Sequence, residues 1–435
     1  MHYSNEAMYN TGGKPISHLE SLLSNAKETF DLNEPAHQVS VRDLADALMT
    51  DENIAIDEIQ ARSRQPEVPL EFKIAAKLLE SRLFLLNNLR PLKIGVVFAM
   101  WGEQNRLRPK SVSNPYGEDF LRTKIQQLEW VSRGTGIDWR LYPVDDGCPY
   151  NSGEICREIA GEHEAGHKIN VLFLAEHLPA PSGPLRRLVS VDDSRKAGSI
   201  ILGCSQAIAD GAEAVIYTDA DNSVHLGQIG LLLRPFIRNG VRVVLGNRKH
   251  PDSVLVKDGA RWGIGIKNLR HIQRMVGQAI FSRGILDTQA AFKLYESRLL
   301  EEVIADPTVF DFSFDTDWIS AFISRGEPFA QTPFAFIDSA AESATAKQQP
   351  MTTWEMLLLG LLKSLRKYNL LNTPASRKMA QVIDEEIQDH RDLELIIDHL
   401  PPELAGAGEE DYGNEEVMTP EAMKAWIHLR KRMTS

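Results

Sequence analysis

The sequence predicts an α/β protein whose mostly parallel, doubly wound sheet carries helical extensions at both ends. Three observations predict it. Short apolar runs suited to buried strands recur at 94–99, 139–144, 171–174, 215–217 and 241–245, with helical patterns at 119–131 and 195–210 between them. Several of these runs stop in charged or small residues, as strands do at the edge of an open sheet where ligands collect. The chain has 435 residues, more than one ordinary domain needs, and its two ends read as helices around that α/β pattern. The expected division is a helical extension over 1–90, an α/β domain over 91–345, and a helical extension with an acidic linker over 346–435.

The first 90 residues show amphipathic helical spacing. Leu19, Leu22 and Leu23 recur at that spacing, Ser40 is placed to cap VRDLADAL, and EFKIAAKLLESRLFLLNNL carries a longer stripe. This is a helical layer or an oligomerisation arm, so a homo-oligomer is one expected partner. The opening MHYSNEAMYNTGGKP has neither a basic nor an apolar leader region, and no run approaches the roughly 18 apolar residues of a membrane span. Cys148, Cys156 and Cys204 lack paired spacing, which suits a reducing compartment, and the expected location is cytoplasmic. A net charge of −12 argues against a nucleic-acid partner.

In the middle of the chain, Ile94-Gly95-Val96-Val97-Phe98-Ala99 is the first strand and is followed by Glu103. The second ends at Asp145-Asp146-Gly147, where the glycine lets backbone approach a ligand. Val215-Ile216-Tyr217 breaks into Thr218-Asp219-Ala220-Asp221-Asn222-Ser223. Two carboxylates one residue apart beyond a strand can approach one hard cation, Mg²⁺ or Mn²⁺, directly or through water. A solvated turn has the same composition. The next strand ends at Gly246-Asn247-Arg248.

These motifs, VDDG at 144–147, SRKAG at 194–198, YTDADNS at 217–223, VLGNRK at 244–249, DTQAAFKLY at 287–295 and FSFDTDWI at 312–319, stand in the order seen in a large family of glycosyltransferases. The sequence resembles the family-2-like members with the nucleotide-sugar-binding GT-A fold, and most of all the dolichyl- and polyprenyl-phosphate sugar transferases. The resemblance spans about 93–371, and an ordered series of motifs is more specific than one D-x-D.

It implies a metal-dependent transferase that moves a sugar from a UDP- or GDP-linked donor to an acceptor, either an alcohol or a lipid phosphate. It further implies Glu103, Asp145 or Asp146, Lys196, Asp219, Arg248 and Gln289 on the donor, and Asp221 with Asp219 on the metal. Asp287, Asp315 and Asp317 are the implied catalytic carboxylates, with Asp287 the first candidate for base. Asp315 and Asp317 also suit the positive end of a helix dipole, the lesser of the two readings. Lys293 reads as a solvated strand residue, and His225 as a surface histidine at a helix start.

The family's P-x-Y-N-E is reduced here to Glu103, position 247 is Asn where Ser is usual, and 317 is Asp where Glu is usual. RLRPKSVSNPYG and HLPAPSGPLRRLVSVDD are insertions beside the expected site. A haloacid-dehalogenase-like phosphatase also carries D-x-D-x-[TS], but there it opens the fold, whereas three strands precede it here. A pyrophosphorylase needs a Gly-rich loop that FAMWGEQNR lacks. A degenerate nucleotide-sugar-binding scaffold is the non-enzymatic alternative.

Toward the C-terminus, TTWEMLLLGLLKSLRKYNLL is an apolar helix with a basic end. It suits core or dimer packing, or peripheral membrane contact through 353–370. SAAESATAKQQP reads as a polar loop, PPELAGAGEEDYGNEE as a linker, and PEAMKAWIHLRKRMTS as a terminal helix.

Overall fold

Apolar runs such as Ile94–Phe98 have no polar face to offer water, so they form strands covered on both sides. The computed structural model of the protein describes residues 18–31, 33–51, 55–257, 265–338 and 350–434. The N-terminal MHYSNEAMYNTGGKP and most of the loop SAAESATAKQQP lie outside the described residues.

The main sheet contains β1 (Leu92–Met100), β2 (Ile137–Asp145), β3 (Leu172–Phe173), β4 (Ala214–Thr218) and β5 (Val243–Gly246). After β6 (Val254–Val256) come β7 (Phe292–Glu296), β8 (Phe329–Thr332) and β9 (Ala335–Ile337). The sheet order is β3-β2-β1-β4-β7-β5-β8, and β6 pairs with β9 in a separate two-stranded sheet. Every pairing in the main sheet is parallel except those of β7, which runs antiparallel to both β4 and β5. The expected strand at 171–174 is cut to two residues because Leu174–His177 coils into a 3-10 turn.

On one face the helices Leu70–Leu86, Phe120–Ser132 and Ile229–Asn239 share a core with β1 and β4. On the other, the helices Ala197–Ala209, Ile266–Val276, Phe314–Ser324 and Pro350–Lys367 form a second core. The helix Ala197–Ala209 lies very close to β1. A Cβ built on Gly203 would stand 2.4 Å from Val97 Cγ1, so only glycine allows that approach.

Three local expectations are corrected. Ser40 does not cap a helix: it lies inside the helix Pro35–Thr50, whose first turn is set by Pro35, and its hydroxyl joins Lys27 and Glu71. The apolar side of the helix Pro350–Lys367 is spent on the core, with Leu358, Leu361, Leu362 and Leu365 buried, so those residues do not face a membrane. No helix among the described residues is long and apolar enough to cross one.

The acidic stretch 401–416 is not a free linker. Leu404, Ala407 and Tyr412 are buried, as is Met418 just beyond it. Lys267 Nζ donates to the carbonyls of Ala405 and Ala407, at 3.1 Å each. Its apolar residues and the basic helix beneath it anchor a segment whose composition reads as a linker.

Candidate active site

Parallel strands deliver their C-terminal ends to one edge of a sheet. An antiparallel strand brings its preceding loop to that same edge. Thus β1, β2, β4 and β5 present Glu103, Asp145-Asp146, Asp219–Asp221 and Arg248, while β7 presents Asp287-Thr288-Gln289. The structure brings these residues, expected on the donor side apart from the expected base Asp287, to one edge of the sheet.

At the end of β4, Asp219 Oδ1 accepts from Lys196 Nζ, and the carboxylate keeps 34 % of its side-chain surface open. Burial works against its charge, but Lys196, then Arg248 and Lys124, hold its carboxyl below the ordinary value. Asp221 Oδ1 accepts from its own loop, at Ser223 N, 3.0 Å away. Its Oδ2 accepts from Arg106 Nη1 at 3.2 Å.

Two residues absent from the expected site fix this loop. Lys124, fully buried, donates to the Asp221 carbonyl at 2.6 Å, and burial pushes its ammonium down to about 8. Glu118 accepts from Asn222 N at 3.0 Å. Arg106, from the insertion after Glu103, forks onto the Glu103 carboxylate, with Nε to Oε2 at 2.6 Å. Glu103 is therefore consumed by a protein guanidinium.

The proposed catalytic carboxylates come out differently from the expectation. Asp287 is not a free base: Arg248 donates to it from Nε at 2.9 Å, from Nη2 at 2.7 Å and from its backbone N at 2.8 Å. Burial alone would raise its pKa, but Arg248 holds the carboxyl below the ordinary range, which makes it a weak proton acceptor. Its geometry instead aims Arg248.

Asp315 and Asp317 do not act as a pair. Two residues on an α-helix differ by about 200° in direction, so they face opposite sides. Asp315 turns to the sheet, where it accepts from Lys293 Nζ at 2.6 Å and from the Tyr217 hydroxyl. Asp317 turns to the helix Pro350–Lys367, with Lys367 Nζ at 3.6 Å. Lys293 is not solvated but wholly buried, and Nζ also donates to the carbonyls of Thr288, at 3.1 Å, and Ala290. It thereby ties the loop that carries Asp287 to the helix that carries Asp315.

On the β2 side both acidic residues serve the backbone. Asp145 accepts from Cys148 N and Gly153 N, each at 2.8 Å, which fastens the start of the helix Ser152–Glu162. Asp146 accepts from Ser199 Oγ at 2.7 Å, Ser194 Oγ at 3.0 Å and Lys196 N at 2.7 Å. That last bond holds Lys196 at φ +77°, a left-handed conformation costing a non-glycine residue about 1–3 kcal/mol. The strained backbone sends the Lys196 side chain to Asp219.

Gly147 takes a left-handed φ of +73°. Its positive φ serves a turn packed on Val191, which a Cβ would approach to 2.6 Å. Gln289 is half-buried and donates a long 3.4 Å bond to Thr288 Oγ1. His225 is buried, not exposed: Nδ1 accepts from Gly227 N at 2.9 Å, and burial holds the ring well below its ordinary pKa.

Fold and crevice together define a doubly wound α/β protein with paired carboxylates and guanidinium and ammonium groups at its strand ends. No family model matches the sequence. Among solved structures, one described only as a mycobacterial protein is similar at TM-score 0.44 and 15 % identity, over 66 % of this chain and 78 % of that one. Glucosyl-3-phosphoglycerate synthase from Mycobacterium tuberculosis, with Mn²⁺, uridine diphosphate and glucosyl-3-phosphoglycerate, is similar at 0.43 and 13 %, over 75 % and 88 % of the two chains. The same enzyme with Mg²⁺ and uridine diphosphate gives 0.42 and 13 %, over 68 % and 85 %. Likeness at this level carries no argument about activity, which has to come from the crevice itself.

Proposed function

We propose that the protein is a metal-dependent glycosyltransferase that moves a sugar from a UDP- or GDP-linked donor to an acceptor. The observation that carries this reading is the end of β4. Asp219 and Asp221 leave 34 % and 16 % of their side-chain surfaces open, with Arg248 and Lys196 near enough to bear on the charge of Asp219.

An all-oxygen donor set suits a hard cation, Mg²⁺ or Mn²⁺. Among the described residues no group of three or more His, Cys, Asp or Glu could hold a metal alone. That fits a cation shared between two carboxylates and the phosphates of a substrate, the usual manner of Mg²⁺. When bound, the cation supplies charge neutralisation for the departing diphosphate.

The remaining work belongs to side chains of this chain. Arg248, aimed by Asp287, offers its guanidinium to the diphosphate. Lys124 and Glu118 fix the Asp219–Ser223 loop from behind, so its geometry is set before the donor arrives. Lys293 fixes the Asp287–Ala290 loop in the same way. With Asp287 held ionised by Arg248, Asp315 held by Lys293 and Asp317 turned away, this reading does not assign an enzyme base to any of the three. An acceptor oxygen that is already ionised needs none.

Release of nucleoside diphosphate from UDP- and GDP-sugars in the presence of Mn²⁺ tests the reading. Donor-dependent release is expected, and no release with any donor, metal and candidate acceptor would contradict it.

A further inference from the structure

Beside the crevice, on the side of Arg248, lies a second set of cations that the proposed reaction does not use. Lys249 directly follows Arg248 at the end of β5. Arg270 and Arg274 lie four residues apart on the helix Ile266–Val276 and so share one face. The three converge on a single carboxylate, Glu409, from the acidic segment laid across that helix. Arg270 Nη1 and Arg274 Nη2 both bond it, Arg274 Nη1 also bonds the Glu409 carbonyl, and Lys249 Nζ stands at 3.8 Å.

We propose that Lys249, Arg270 and Arg274 form a binding site for a phosphate group of the acceptor, and that Glu409 is its internal occupant in the state described. The inference rests on the transferase reading for the word acceptor. The site itself rests on charge and geometry.

Three cations around one carboxylate leave two positive charges uncompensated, and a phosphate dianion in the place of that carboxylate leaves only one. Two guanidinium forks on one helix face suit phosphate oxygens. The site is built into the fold: Arg274 is only 6 % exposed, and Gly413 N donates to His271 Nδ1 at 3.2 Å, seating the acidic segment on the same helix. It is also open, since Glu409 and Lys249 keep 46 % and 37 % of their side-chain surfaces accessible. Burial lowers the Lys249 ammonium below its ordinary value, with Arg274 and Arg270 adding repulsion against the attraction of Glu409. The chain link to Arg248, and the charge of Asp287 bearing on Lys249, put the site next to the Arg248–Asp287 pair that the transferase reading assigns to the donor.

The test is calorimetric titration of inorganic phosphate into the native chain, Glu409→Gln, and Glu409→Gln with Arg270→Gln. Glu409→Gln should bind phosphate about ten-fold tighter than the native chain, and Arg270→Gln should remove that gain. Equal phosphate affinity in the native chain and a folded Glu409→Gln variant would overturn the proposal, as would a gain that survives Arg270→Gln.

If Glu409→Gln does not fold, melting of the native chain in phosphate against chloride of equal ionic strength decides. A rise that Lys249→Gln loses supports the site, and no rise overturns it. Sedimentation with phosphatidylcholine vesicles, with and without phosphatidic acid, separates a lipid phosphate from a free one. Binding only to phosphatidic acid vesicles assigns a lipid acceptor, and phosphate binding without vesicle binding assigns a soluble one. Titrating the same proteins with uridine diphosphate and Mn²⁺ keeps the two readings apart. Intact nucleotide binding without a phosphate gain removes the site alone, and a phosphate gain without nucleotide binding removes the transferase reading.

Discussion

Replacing Lys293 by Met removes one buried charge whose partners are all defined. Nζ lies 2.6 Å from Asp315 Oδ1 and 3.1 Å from the Thr288 carbonyl, bonds the Ala290 carbonyl, and belongs to a side chain with no exposed surface. Met keeps most of the volume, so the loss is electrostatic. Removing one partner of a buried ion pair costs about 3–5 kcal/mol. The Tyr217 hydroxyl stays on Asp315 and offsets part of this, so about 4 kcal/mol is expected. With an unfolding entropy of about 2.1 cal/mol/K per residue over 435 residues, that is a fall of about 4 °C in Tm if unfolding is cooperative. Differential scanning calorimetry of Lys293→Met and of Lys293→Met with Asp315→Asn makes the measurement. The double variant, with no orphaned carboxylate, should recover at least half of the fall. A single variant melting within about 1 °C of the native chain, or a double variant no better than the single, would refute the reasoning.

Arg248→Ala should weaken binding of a nucleoside diphosphate by about 1.5–3 kcal/mol while leaving the free nucleoside unaffected, as calorimetry would show; equal loss for both ligands would place Arg248 off the diphosphate. His225 is held well below its ordinary value of 6.5 by burial, then by Arg42 and Lys124, so it is neutral when folded and takes up a proton only on unfolding. The stability it contributes is complete above about pH 6.5 and falls by about 1.4 kcal/mol per unit below that. Urea midpoints for His225→Asn between about pH 7 and 5 should show a shallower slope than those of the native chain; buried His271 adds to what remains, and Glu103, pushed up to about 7 by burial, opposes it because its folded form takes up a proton as pH falls through that window. A slope equal to that of the native chain would mean His225 is protonated in the folded state.

The strand ends were legible because a buried strand must stop, and residues such as Asp219, Asp221 and Arg248 mark the stop. What the sequence could not display was which charges neutralise one another. Glu103 looked like a ligand contact until Arg106, three residues on in an insertion, took both its oxygens. Lys124 sits in a helix and resembles a solvated residue until the fold turns it under the Asp221 carbonyl.

Lys293 did leave a signal. A lysine between Phe292 and Leu294, in a run as apolar as AAFKLY, has nowhere wet to go if the strand is central, and so calls for a buried anion. Asp315 and Asp317 carried one too, since a spacing of two on a helix divides them between faces. The acidic segment around Glu409 was misread because composition reports its own charge and not that of the basic helix it lies on.

The claim on which the functional account turns is that the end of β4 holds a divalent cation together with the donor diphosphate. Calorimetric titration of uridine or guanosine diphosphate, with and without Mn²⁺, into the native chain and Asp221→Ala tests it most directly, because Asp221 lies beyond the end of β4. The account predicts Mn²⁺-enhanced binding to the native chain and loss of that enhancement in a variant that remains folded. Equal, metal-enhanced affinity in both proteins would contradict it.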